Sequence, residues 1–139
     1  DVSSQVNISP YYFSKIFKEE TGENFIEYLT RVRIDKAKEL LVDANVSVKE
    51  AGIQSGYSDP NYFSRIFKKQ TDTTIGAYIL QTRMEMAGKL FQRTNYNVTE
   101  VAQRVGFFDV SYFSKCFKKY FGVSPKQYQN VSSNYLKTT

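Results

Sequence analysis

The chain has 139 residues, of which 41% are hydrophobic and 24% are charged, with seven Gly and three Pro. This composition predicts a soluble globule with a genuine core, and it excludes a disordered tail, a collagen-like repeat and a flexible linker. The sequence has no apolar run long enough to cross a bilayer and no signal-peptide pattern, which predicts that a membrane is not a partner.

Ionisable residues narrow the classes of function further. The chain has no histidine and one cysteine, Cys116, which excludes histidine-based catalysis, His/Cys zinc sites and an internal disulfide. The lack of disulfides suits a reducing intracellular compartment. The net charge of +5 is compatible with a polyanionic partner, and it lies in residues 71–139, because residues 1–70 contain ten basic and ten acidic side chains.

A repeat with a period of fifty residues organises the sequence. The triplet Tyr-Phe-Ser recurs at this spacing, and a Phe-Lys pair follows it each time, at Phe17-Lys18, Phe67-Lys68 and Phe117-Lys118. We therefore divide the chain into residues 1–30, which contain unit one, truncated at its start; residues 31–74, with a linker helix and unit two; and residues 75–139, with a linker helix, unit three and a short C-terminal helix.

Each unit has the pattern of two short amphipathic helices separated by a tight turn, which is a helix-turn-helix. The turn is residues 56–59 in unit two and 106–109 in unit three, where a glycine permits a positive φ and an aspartate caps the next helix. Linker helices are predicted to begin at Phe25 and Ile75, and Ser124 begins a capping box for a last helix.

The second helix of each unit has an aromatic stripe that predicts its buried face. In unit one the register before the turn slips by one residue, so that Val2 and Val6 would belong to its first helix. The residues predicted to be buried are Phe13, Phe17, Phe63, Phe67, Phe113 and Phe117.

The first helix of unit two departs from this pattern. Ala51, Gly52 and Ser55 stand where unit three has valine, alanine and valine. Because a glycine in a helix interior costs about 1 kcal/mol and the apolar stripe is thinner, we expect looser packing of this helix.

Exposed residues on the second helix of each unit are candidates for contacting nucleic acid. In a helix-turn-helix this helix enters the major groove, where its early residues meet base edges and its later basic residues meet phosphates. Unit two has no acidic residue in 60–70, and its Asn61 and Arg65 can make bidentate hydrogen bonds to adenine and guanine. In unit one, Glu19 and Glu20 offset the positive charge of the lysines. The candidates are Tyr11, Ser14, Lys15 and Lys18 in unit one, Asn61, Ser64, Arg65, Lys68 and Lys69 in unit two, and Val110, Ser111, Ser114, Lys115, Lys118 and Lys119 in unit three.

These motifs resemble the DNA-binding domain of the AraC/XylS family of bacterial transcription regulators, over about residues 2–129. The resemblance rests on Tyr-Phe-Ser-Lys/Arg-x-Phe-Lys-Lys, on Gly-x-Ser-Pro-x-x-Tyr from Gly122, and on Arg-x-x-x-Ala-x-x-Leu-Leu from Arg33. It implies an all-α fold in which two helix-turn-helix units, joined by a rigid linker helix, bind successive major-groove faces of double-stranded DNA. It also implies a cytoplasmic regulator, with RNA polymerase as a further partner.

The resemblance implies roles for single residues as well. Lys15, Arg65 and Lys115 would contact bases or the DNA backbone, and Tyr11, Asn61 and Ser111 would lie near base edges. The chain departs from the family in having three units where two are usual. Both linker helices fit the motif, so the motifs do not decide which two units bind DNA together as the working pair. The distribution of charge favours units two and three. Because the chain begins with Asp1 inside an expected helix, we also expect an upstream sensory or receiver domain.

Other classes of function have weaker support. A helical protein-interaction or signalling module that has lost DNA contact would suit the neutral first half, and salt-dependent DNA binding separates it from the regulator. No motif supports an enzyme, because the sequence has no Gly-rich phosphate loop, no nucleophile with a base and no paired carboxylates in an obvious cleft. Cys116 takes the place of Ile16 and Ile66 in the stripe and lacks a histidine base. No cofactor or metal is expected, and the motifs of RNA-binding domains are absent from the sequence.

Overall fold

A computed structural model describes residues 9–138 and contains only α-helices in that range, which confirms the all-α fold. Short connections join the helices. None of the described helices is long and apolar enough to cross a membrane. The proposed first helix of unit one, with Val2 and Val6, lies outside the described residues. The helices are α1 Pro10–Thr21, α2 Phe25–Val42, α3 Val48–Gln54, α4 Pro60–Thr71, α5 Ile75–Arg93, α6 Val98–Arg104, α7 Val110–Phe121 and α8 Pro125–Thr138.

Side-chain caps fix where these helices begin. Asp59 and Asp109 each accept a hydrogen bond from the backbone N–H two residues later, at 3.0 and 2.9 Å, which confirms the predicted caps of α4 and α7. The capping box of α8 is also confirmed: the Ser124 hydroxyl accepts from the Gln127 N–H at 3.2 Å, and the Gln127 amide oxygen accepts from the Ser124 N–H at 3.1 Å. Gly106 in the turn of unit three adopts a φ of 95°, as its position requires.

The helices enclose two separate hydrophobic cores, one for each of the last two units. Helices α2, α3 and α4 build the first core around Phe63 and Phe67, and the start of α5 adds Ile75. Helices α5, α6 and α7 build the second core around Phe113 and Phe117. These four phenylalanines are almost fully excluded from water, which confirms that they form the inward faces of α4 and α7.

Helix α1 contributes no residue to either core. At the start of α2, Phe25 contacts both Phe13 and Phe17, and Tyr28 contacts Phe17, with ring centroids 5.2–5.3 Å apart. Both rings stay half-buried, so the prediction that they are buried like their counterparts is wrong. The reason lies in packing among the described helices: α4 and α7 each pack against two or more of them, whereas α1 packs chiefly against α2.

Helix α3 packs more closely than its sequence suggests. Ala51, Gly52 and Ser55 are all buried, and the Ser55 hydroxyl donates a hydrogen bond to the Ala51 carbonyl at 2.6 Å. A Cβ on Gly52 would lie 2.8 Å from the ring of Phe63. The expectation of loose packing is therefore wrong, because the ring of α4 occupies the space that a side chain on α3 would fill.

Helix α5 joins unit two to unit three. It begins with Ile75 in the first core and continues with Met84 and Phe91 in the second. The units also touch directly, since a Cβ on Gly106 would lie 2.9 Å from the Ala44 side chain in the loop after α2. A continuous helix and this contact hold α4 and α7 in a fixed relation. Residue 30, the end of the first segment in the sequence-based division, lies inside α2.

Gly52→Ala is expected to destabilise the protein by about 1–3 kcal/mol, because the new methyl group collides with Phe63. Gly76→Ala in the first turn of α5 is the matched control, since a Cβ there meets nothing within 4 Å. The control should be neutral or stabilising by about 0.5–1 kcal/mol. Urea unfolding measures both, and an equal loss of stability in the two variants would contradict the close packing of α3 on α4.

Phe117→Ala is expected to cost about 3–5 kcal/mol, because the ring is fully buried in the second core. Phe17→Ala should cost clearly less, since the equivalent ring of α1 is half-exposed and leaves no closed cavity. The free energy of unfolding of the two variants gives the comparison. A similar cost for both would mean that α1 is packed like α7.

Candidate nucleic-acid interface

Helices α4 and α7 present matched faces to solvent. In each helix two phenylalanines four residues apart face a core, which leaves the opposite side exposed. The structure therefore places most of the predicted residues of units two and three on two open helix surfaces. The exposed ones are Asn61, Ser64, Arg65, Lys68 and Lys69 on α4, and Ser111, Lys115, Lys118 and Lys119 on α7.

Two predicted residues of α7 are less accessible. Val110 is half-buried and packs against the core of unit three, so its side chain helps to seat the start of α7. Ser114 is also half-buried, whereas its counterpart Ser64 is exposed. A contact of these two residues with nucleic acid stays a prediction.

Helix α1 carries the predicted residues of unit one. Tyr11 is 81% exposed, Lys15 and Lys18 are exposed, and Ser14 is half-buried. Glu19 and Glu20 follow within the same helix and are also exposed. The surface of α1 is therefore of mixed charge, unlike those of α4 and α7.

The electrostatic environment favours a polyanion at α4 and α7. Neither helix contains an acidic residue, and the two ion pairs among the described residues, Arg31 with Glu23 and Lys36 with Glu39, lie elsewhere. Lys68 and Lys118 stand in the last turns of their helices, where a positive charge also stabilises the helix dipole. These lysines thus have a structural role that is compatible with binding phosphates.

Arg33 and Arg83 are functional candidates that the sequence reasoning missed. Arg33 lies on α2 and Arg83 on α5, the linker helices that precede units two and three. A Cβ on Gly56 would lie 2.9 Å from the Arg33 guanidinium, and a Cβ on Gly106 would lie 3.3 Å from that of Arg83. The same guanidinium groups lie over the aromatic ring of the turn, 5.6 and 5.9 Å from the ring centroid. Their signal in the sequence is the spacing of fifty residues, which they share with the glycines.

A shallow groove between α5 and α7 brings several polar groups together. It is lined by Leu80, Tyr112, Lys115, Cys116, Lys119 and Tyr120. A side-chain hydrogen bond with Cys116 raises the pKa of Tyr112. The pKa of Tyr120 is raised mainly by burial and, to a smaller extent, by the negative charge of Glu85. The Tyr120 hydroxyl donates a hydrogen bond to the Glu85 carboxylate at 3.4 Å. In the described range, no group of His, Cys, Asp or Glu is arranged to hold a metal.

Known proteins match this chain in sequence over its repeated part. A family model described as a helix-turn-helix domain matches residues 2–78 and, a second time, residues 60–130. The HTH-type transcriptional activator Btr of Bacillus subtilis is 41% identical over 58 residues, which are 42% of this chain and 11% of Btr. The chain thus spans a small part of the length of the curated relatives that it matches.

Solved structures show the same arrangement of helices. The C-terminal domain of the two-component response regulator yesN from Fusobacterium nucleatum is 33% identical with a TM-score of 0.61, and the match covers 76% of this chain and 99% of that domain. The DNA-binding domain of AdpA, solved in complex with a target DNA, has a TM-score of 0.61 over 74% of this chain and 90% of that domain; at 23% identity, this likeness shows the fold.

About a quarter of this chain lies outside the match that covers nearly all of the yesN domain. The matched family model spans more than half of the chain. The two cores, the shared helix α5 and these matches together lead to one assignment. The chain belongs to the helix-turn-helix family that forms the C-terminal domains of AraC-type transcription regulators.

Proposed function

We propose that this chain binds double-stranded DNA sequence-specifically, with α4 and α7 as recognition helices in successive major-groove faces. The observation that carries the proposal is the pair of exposed, acid-free faces on helices whose other sides are fixed in two cores. A helix held in this way enters the major groove with its first residues near base edges. The AdpA complex supports the proposal through its shared fold.

The position of each residue along its helix assigns its role. Asn61 and Arg65 lie early on the exposed face of α4, where they reach base edges, and Ser111 and Lys115 are their counterparts on α7. The basic residues of the last turns reach the DNA backbone instead. These phosphate-contacting residues are Lys68, Lys69, Lys118 and Lys119.

Units two and three form the working pair in this proposal. Each has a complete core, and the two recognition helices are connected through α5. Helix α1 has exposed glutamates beside its lysines, and none of its residues is buried in the described part of the chain, so we expect Tyr11, Ser14, Lys15 and Lys18 to contribute little to affinity.

A protein-interaction module is the second candidate. The observation that favours it is the exposed, charge-balanced surface of α1, including Tyr11 and Tyr12. Salt dependence separates the two functions, because binding to phosphates releases counterions and weakens steeply as salt increases.

The family consists of transcription regulators, which confirms that the chain is not an enzyme.

Further partners belong to the same proposal. Btr is named as an activator, which supports RNA polymerase as a partner of a protein of this kind. The curated relatives are several times longer than the segment they share with this chain, which supports an upstream sensory or receiver domain. A bacterial regulator of this type acts on chromosomal DNA and hence in the cytoplasm.

Selection of bound sequences from random duplex DNA tests the proposed function directly. Enrichment of one sequence motif, bound more tightly than random DNA at the same salt concentration, is the expected result. If no motif is enriched and affinity for duplex DNA does not fall with salt, the protein-interaction module takes its place.

Lys118→Ala or Lys119→Ala should weaken binding to specific and random DNA alike and reduce the salt slope by about one, because each removes one phosphate contact. Arg65→Ala and Lys115→Ala should instead narrow the affinity ratio between specific and random DNA. Titrations at several salt concentrations measure both quantities. The division of roles fails if all four variants give the same profile.

Lys15→Ala should change affinity far less than Arg65→Ala or Lys115→Ala, because Lys15 lies on the helix of mixed charge. Footprinting should accordingly show two adjacent major-groove contacts about one turn (~10 bp) apart. Equal protection over three turns, or loss of binding in Lys15→Ala alone, would make unit one a third reader.

A further inference from the structure

A continuous series of contacts between guanidinium groups and aromatic rings, which we call the stack although the Tyr57 and Tyr62 rings are tilted by 52°, runs through unit two. The Arg33 guanidinium lies 5.6 Å from the ring centroid of Tyr57 in the turn. Tyr57 lies 5.8 Å from Tyr62, and the Arg65 guanidinium lies 5.9 Å from the Tyr62 ring. The stack therefore connects α2, through the turn, to the exposed face of α4.

The inner end of this stack is firmly held. Tyr57 is buried, and its ring also stacks on Phe63 at 5.7 Å in the core. Arg33 is half-buried and packs against Gly56, which has no Cβ and so leaves the space that the guanidinium occupies. The outer end is open, since Tyr62 is 47% exposed and Arg65 is exposed.

Unit three repeats the stack without its last member. Arg83 lies 5.9 Å from the ring centroid of Phe107, and Phe107 lies 5.9 Å from Tyr112. The next basic residue is Lys115, which lacks the planar guanidinium. The complete arrangement of ring and guanidinium on a recognition helix is thus a property of unit two in the described structure.

We propose that Arg33 and Tyr62 are positioning residues that orient the Arg65 guanidinium for reading one base pair. This inference rests on the proposed DNA binding by α4. An arginine over an aromatic face loses rotational freedom before DNA arrives, so less entropy is lost when its planar fork pairs with a guanine edge. Arg33 acts at a distance: it fixes Tyr57, Tyr57 fixes Tyr62, and Tyr62 holds Arg65.

The test uses the whole chain and the sequence obtained from random duplex DNA. Arg65→Ala first identifies the base pair that Arg65 reads, as the position where the preference for one base falls by roughly 5- to 150-fold. Tyr62→Leu and, independently, Arg33→Gln should then reduce the preference at that same base pair by roughly 2- to 5-fold. Preferences at the other base pairs should stay unchanged, which a general loss of packing would not give.

Matched variants separate the stack from other effects. Tyr62→Phe and Tyr57→Phe keep the rings, as Phe107 does in unit three, and should retain the preference. Arg83→Gln should leave the base pair of Arg65 unaffected. Arg33→Gln should also leave the salt slope unchanged, whereas a direct phosphate contact of Arg33 would lower it by about one.

The outcomes distinguish the inference from the function on which it rests. If the unaltered chain selects no DNA sequence, the proposed function fails. If it selects one and Tyr62→Leu or Arg33→Gln keeps the full preference at the base pair of Arg65, the positioning role is wrong. A uniform loss of preference at all base pairs, or a lower salt slope in Arg33→Gln, overturns it as well.

Discussion

Burial of two phenylalanines one helical turn apart is the interaction on which the rest of this structure depends. Phe63 with Phe67, and Phe113 with Phe117, fix the rotation of α4 and α7 about their own axes. Burial of each ring is worth about 1.5–3 kcal/mol, more than any single surface contact of these helices. Once that rotation is fixed, the helical period alone directs the polar and basic residues away from the core. The two cores thus determine which residues of α4 and α7 form the exposed candidate interface.

Those features that depend on local pattern were predictable from the sequence. The helices, their aspartate caps, the capping box at Ser124 and the inward faces of α4 and α7 follow from spacing and residue type. Burial in α1 was not predictable, because a stripe shows which side of a helix is apolar and not whether other helices cover it. Gly52 shows the converse, since a missing side chain looks like a defect until the ring of Phe63 is seen in its place.

The candidate site divides in the same way. Exposure of Arg65 and Lys115 follows from their position relative to the phenylalanines of their own helices. Arg33 and Arg83 could be recognised as repeated but not interpreted, because their partners are aromatic rings in turns more than twenty residues away. Contacts between residues distant in sequence are set by tertiary packing, which periodicity does not report.

The two recognition helices differ in ways that bear on the kind of DNA site they can read. Dimeric helix-turn-helix proteins read palindromes because two identical helices are related by a two-fold axis. Here both helices belong to one chain, and α4 offers Asn61 and a stacked Arg65 where α7 offers Ser111 and Lys115. Asn and Arg make bidentate contacts that favour adenine and guanine, whereas Ser and Lys discriminate less sharply. Because α5 and the contact of Ala44 with Gly106 hold the helices in a fixed relation, the proposed function predicts that a single chain reads one asymmetric site, with unit two supplying most of the base discrimination.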